Sequence, residues 1–146
     1  MKKFLFIIST LLLLMSCSVR KQSVVTLPLD ENLPQTDVYA PNFRMFWADF
    51  AKEVNKVNNI NKFEPSRQLI EQYSLQKEET AYFLVGLITI VPDSFDVNEA
   101  TSLGLQLTRM TNDTFTYSCN LCNLPTIVTL KGVRYIEVAQ KVFNRL

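Results

Sequence analysis

The sequence predicts an α+β domain in which a βαββαβ antiparallel sheet follows two additional N-terminal helices. Two observations lead there. Apolar residues between positions 41 and 75 recur at intervals of three and four, whereas from residue 82 onward they run continuously or alternate. Cap and turn residues then cut the second half into strand, helix, strand, strand, helix and strand. At 146 residues, with 47% hydrophobic and 20% charged, the chain has enough apolar content to bury one core and is excluded from the disordered and collagen-like classes.

Phe43, Phe46, Trp47, Phe50, Val54 and Val57 mark one face of the first helix, with Pro41 and Asn42 as start signals and Asn58-Asn59 as the stop. A shorter helix opens at Pro65-Ser66, carries Leu69, Ile70 and Tyr73, and ends before Gln76. A small domain needs those rings inside, so the aromatic stripe is expected in the core. Glu78 and Glu79 are neighbours facing opposite ways, expected in solvent. Residues 82–91 are apolar and rich in β-branched side chains up to Pro92-Asp93, which predicts a central strand with Gly86 allowing close packing.

Asp96 or Ser94 can cap the next helix, with Glu99 three residues past Asp96 and Gly104 as its terminator. Leu105 and Leu107 alternate on one strand and Phe115, Tyr117 and Cys119 on the next, around a turn at Asn112-Asp113. Residues 123–131 contain β-branched Ile127, Val128 and Thr129. The spacing of Leu124, Ile127, Val128 and Lys131, with Pro125 in the first turn and Gly132 after the end, favours a short helix. Ile136 and Val138 then alternate with polar residues along a last strand over 133–142. This order is that of the ferredoxin-like, split βαβ arrangement, with both of its helices on one sheet face.

At the other end, Lys2 and Lys3 precede an apolar run over residues 4–15 interrupted only by Ser9 and Thr10, which reads as a signal peptide and is short for a membrane span. Its end, Leu14-Met15-Ser16-Cys17, resembles the lipobox of bacterial lipoproteins. The resemblance implies that residues 1–16 are removed and that Cys17 is lipidated, anchoring the chain to a membrane of the cell envelope. Residues 17–40 then form the lipidated cysteine and a tether, because Pro28, Pro34 and scattered polar residues show no periodic spacing and predict little fixed structure. Residues 41–79 form the helical segment and residues 80–146 the α+β domain. Ser18 and Val19 are not acidic and Arg20 and Lys21 follow, which among such lipoproteins suggests the outer membrane, facing the periplasm.

Removing Lys2 and Lys3 leaves 13 basic against 14 acidic residues, a formal charge of −1, so no nucleic-acid partner is expected. The chain has no histidine, which excludes Ser–His and Cys–His catalysis, histidine-bound zinc and a histidine pH switch. No metal or other cofactor is called for. Cys119 and Cys122 form a C-x-x-C at a predicted strand end, and an exported setting favours a local disulfide between them. A redox-active pair activated by a helix N-terminus, or free or metal-binding thiols, are the alternatives.

Leu103-Gly104-Leu105, Thr111-Asn112-Asp113, residues 124–130, Gly132-Val133, Tyr135-Ile136-Glu137 and Lys141-Val142 follow one cadence, strongest at Leu130-Lys131-Gly132-Val133-Arg134-Tyr135-Ile136-Glu137. Over residues 80–143 it resembles the propeptide, or inhibitor-like, domain of subtilisin-family serine proteases, although Lys131 stands where that family often has proline. The resemblance implies a sheet whose open face docks on two protease helices, and a C-terminal tail that enters the substrate cleft as a product would. Leu146 and Phe143 then fill the two apolar pockets, unless they cover the domain's own core instead. Phe115 and Tyr117 face the partner if their side of the sheet points away from the helices, and are buried if the 41–75 helices cover it.

The expected function is that of a non-enzymatic envelope lipoprotein binding a protein partner, with a subtilisin-family protease as the implied target of inhibition or assisted folding. A structural or adaptor lipoprotein is the second reading, and a thiol–disulfide redox protein the third.

Overall fold

A computed structural model describes residues 25–139. Helix α1 (Pro41–Val54) forms where the aromatic stripe predicts it and buries Phe43, Phe46, Trp47, Phe50, Ala51 and Val54. Pro41 sits in its first turn, where a missing N–H leaves no intrahelical bond unmade. The helix ends at Val54, short of Asn58-Asn59, with Asn55 as its last cap. A 3₁₀ turn (Ile60–Lys62) follows, its N-terminus capped by the Asn59 side chain accepting from the Asn61 N–H. Helix α2 (Arg67–Tyr73) is capped by Ser66, whose hydroxyl accepts from the Leu69 N–H, and is ended by Ser74 at φ 52°.

Strand β1 (Gln76–Glu78) was not legible from alternation. It pairs antiparallel with β2 (Ala81–Ile90), placing Lys77 opposite Tyr82. The connection is a turn of two residues in which Glu79 adopts a φ of 52°.

Beyond β2 the predicted order appears. Helix α3 (Val97–Ser102) is capped by Asp96, whose carboxylate accepts from the N–H groups of Asn98 and Glu99. Gly104, at φ 96°, turns the chain into β3 (Leu105–Arg109). Strand β4 (Thr114–Asn120) returns antiparallel, and a 3₁₀ turn (Leu121–Asn123) leads into the one-turn helix α4 (Leu124–Ile127). Gly132, at φ 76°, precedes β5 (Val133–Val138).

The five strands form one open antiparallel sheet. Ile88 of β2 faces Phe115 of β4 on one side and Ile136 of β5 on the other. The neighbours therefore run β5–β2–β4–β3, with β1 sharing the β5 side of β2.

Side chains alternate across the sheet, and register decides which are covered. Leu84, Ile88, Leu105, Phe115, Tyr117, Cys119, Ile136 and Val138 lie on one face and join a single core cluster with residues from all four helices, including Phe46, Leu69, Ala100 and Leu124. Within it Phe46 stacks on Phe50 with ring centroids 5.7 Å apart and meets Tyr73 edge-on at 4.9 Å. The residues of segments 41–79 and 80–139 thus share one core.

The expectation of little fixed structure in the tether is corrected for residues 25–40, which pack on the domain. Val25, Leu27 and Leu29 lie against the core and Leu33 is buried within it. Main-chain atoms of this strap are held by side chains of α1 and its cap. The Asn55 amide accepts from the Leu29 N–H at 2.7 Å and donates to the Leu29 carbonyl at 2.9 Å, and Trp47 Nε1 donates to the Asp30 carbonyl at 2.8 Å. Periodicity could not disclose these contacts, because they are made by polar atoms at single positions. Residues 1–24, with Cys17, and residues 140–146, with Phe143 and Leu146, lie outside the described residues.

Candidate functional site

The face of the sheet opposite the core carries Phe83, Val85, Leu87 and Thr89 on β2. Beside them stand Thr114, Thr116, Ser118 and Asn120 on β4, and Tyr135 and Glu137 on β5. Phe83, Val85 and Leu87 are half-buried and stand outside the core cluster, while Tyr135 is 36% exposed. The central strand of this face is apolar and its flanks carry hydroxyl groups, with Glu137 the one carboxylate on β5. An apolar centre with a polar rim, on a rigid sheet, is the composition of a surface that can take a partner.

The sequence placed Phe115 and Tyr117 together on one face, and they do share one. The expectation that this face meets a partner is corrected, because Phe115 is 3% and Tyr117 1% exposed. Their register partners are Ile88 and Gly86, on the side that α1 covers. Tyr117 lies over Gly86 and its hydroxyl donates to the Glu137 carbonyl at 3.1 Å, and burial pushes the phenol well above its usual range. The apolar residues that do face away from the helices are Phe83, Val85 and Leu87. Their signal was present in the continuous apolar run of β2, which an antiparallel strand covered on one side does not need.

Cys119 and Cys122 are free thiols, which corrects the expected disulfide. Cys119 points from β4 into the core. Cys122 sits in the 3₁₀ turn after β4, where its Sγ–H donates to the Ile60 carbonyl at 3.3 Å and links the two 3₁₀ turns. Burial raises both thiols, Cys119 to about 12, and this opposes the thiolate that redox or nucleophilic chemistry requires. Glu78 and Glu79 are exposed at the β1–β2 turn, as expected. Among the described residues no group of three metal-ligating side chains converges. No helix there is long and apolar enough to cross a membrane.

Comparison of the chain with protein-family models, with curated proteins and with solved structures finds no match.

Proposed function

We propose that this is a lipid-anchored protein of the cell envelope that binds a protein partner without catalysis of its own, and that the partner is a subtilisin-family protease. The observation that carries the reading is the uncovered sheet face built on Phe83, Val85 and Leu87. Two further features support it. The strand order β5–β2–β4–β3, with α3 and α4 as its two crossovers, is consistent with a ferredoxin-like core of the kind such propeptides use. The cadence of residues 130–137, which spans Gly132 and most of β5, supports the same family.

In this reading Cys17 carries the lipid at the outer membrane, facing the periplasm, and the folded part presents its open face to the protease. Phe143 and Leu146 enter the cleft as product-like anchors. The test is inhibition of a subtilisin-family protease by the full chain, by Leu87→Asp, and by a chain lacking residues 143–146. Each change is expected to weaken inhibition by about 10- to 100-fold, as loss of a buried anchor does, read under conditions where each variant is shown to be folded, because Leu87→Asp sets a carboxylate opposite Glu137. Inhibition that is absent, or indifferent to both changes, rejects the protease and leaves the structural or adaptor reading.

A further inference from the structure

We propose that residues 140–146 fold back over the open sheet face of the free chain and seat Phe143 on Val85 and Leu87. The point at which the chain leaves β5 directs it there. Val138 pairs with Gly86, and the Ala139 N–H donates to the Val85 carbonyl at 2.9 Å, so Ala139 stands exposed beside Val85 on the open face. In continued register residue 141 would lie opposite Phe83, a place already taken by Gln76 of β1 on the same side of β2. The path along the sheet is therefore closed at that residue. On the outer edge the Asn42 side chain of α1 donates to the Val138 carbonyl at 2.8 Å, and on the core side Val138 is buried in the cluster that α1 shares. The sides left to the chain are solvent and the open face.

The composition of the segment decides between them. It carries Val142, Phe143 and Leu146, and its charged members, Lys141 and Arg145, are both basic. The open face offers Phe83, Val85 and Leu87 at its centre. Its ladder positions include the carboxylates Glu78 and Glu137 and no basic side chain. Apolar groups thus meet apolar groups, and cations meet carboxylates. The length agrees as well. Residues 140–142 span about 10 Å when extended, which is about the spacing of packed layers, and this brings Phe143 to the height of a second layer beside Val85. A phenyl ring laid there removes apolar area from water on both surfaces.

In the complex proposed above, the residues that cover the face are the ones a protease cleft draws away, so one movement frees both contact surfaces. The inference itself concerns the free chain and does not rest on the identity of the partner.

The test is methyl NMR of the full chain in lipid nanodiscs, with no protease present. Nuclear Overhauser contacts are expected from the Phe143 ring to the Val85 and Leu87 methyl groups. Deleting residues 140–146, or Phe143→Asp, should abolish these contacts and shift the Val85 and Leu87 signals. The signals of Leu84 and Leu105, which lie in the core, should stay in place and report that the fold is kept. Val85 and Leu87 signals indifferent to the deletion overturn the proposal. So do Phe143 contacts to core residues, or contacts that pass between labelled and unlabelled copies, which make a second chain the occupant. Failed inhibition with the contacts present rejects the protease and leaves the cover standing, while inhibition without the contacts rejects the cover alone.

Discussion

A single methyl group at Gly86 is expected to destabilise the fold. A Cβ there would meet the Glu137 carbonyl oxygen on β5 and lie 2.8 Å from both the ring edge and the hydroxyl of Tyr117 on β4. The ring could tilt, but the carbonyl belongs to the β2–β5 ladder and moves only if the strands part. Overpacking of this kind costs typically about 1–3 kcal/mol, and a backbone obstacle places Gly86→Ala at about the upper value. Replacing glycine within a strand recovers roughly 0.5–1 kcal/mol of chain entropy, which leaves a net loss of about 2 kcal/mol. With a urea dependence of about 1.5 kcal/mol per molar, the midpoint should fall by about 1.3 M at constant slope. Repeating the substitution in a Tyr117→Leu background separates the two obstacles: the loss should persist, because the carbonyl remains. Gly86→Ala as stable as the parent would refute the reasoning, and full rescue by Tyr117→Leu would reassign the obstacle to the ring alone.

Three further outcomes are expected. Asn55→Ala removes both bonds to the Leu29 main chain and should lower stability by about 1–2 kcal/mol, with faster proteolysis near Leu27; an unchanged cleavage pattern would deny the strap its fastening. The Cys119 thiol stands at about 12 against an ordinary 9, because burial disfavours its thiolate. Its contribution to stability is therefore complete below pH 9 and is lost as pH rises toward 12, so the parent should lose more stability than Cys119→Ala between pH 8 and 10.5, and parallel curves would contradict this. Under the proposed lipid anchoring at Cys17, Cys17→Ser should release or misprocess the protein, because stable anchoring needs the lipid; unchanged membrane retention after washing would oppose it.

The parts of the fold that rest on periodicity were legible before any coordinates. The stripe of α1, the alternation of β4 and the glycines at 104 and 132 were all read correctly, because each is a local pattern fixed by backbone geometry. Strand β1 was missed because three exposed residues carry no alternation of burial, and it exists only through its pairing with β2. The site was legible as a set of residues but not as a side. Alternation grouped Phe115 with Tyr117, yet nothing local says which face α1 will cover, and that choice moved the candidate surface to Phe83, Val85 and Leu87. The cysteine pair shows the same limit. Spacing favoured a bridge, whereas the strand points Cys119 into the core and the following turn directs Cys122 to Ile60.

The strap is fastened through its main chain, and this divides the tolerance of the protein to substitution unevenly. Arg44, Trp47 and Asn55 all bond to backbone atoms of residues 29–39: carbonyls, which every amino acid supplies, and the Leu29 N–H, which all but proline supply. Besides its own Leu33, buried in the core, the path of the segment is held by three side chains that do not belong to it. Exposed positions such as Glu31 and Gln35 are therefore free to change composition and charge without unseating the segment, while much of the specification for its course is written 5 to 26 residues downstream, in the helix and its cap.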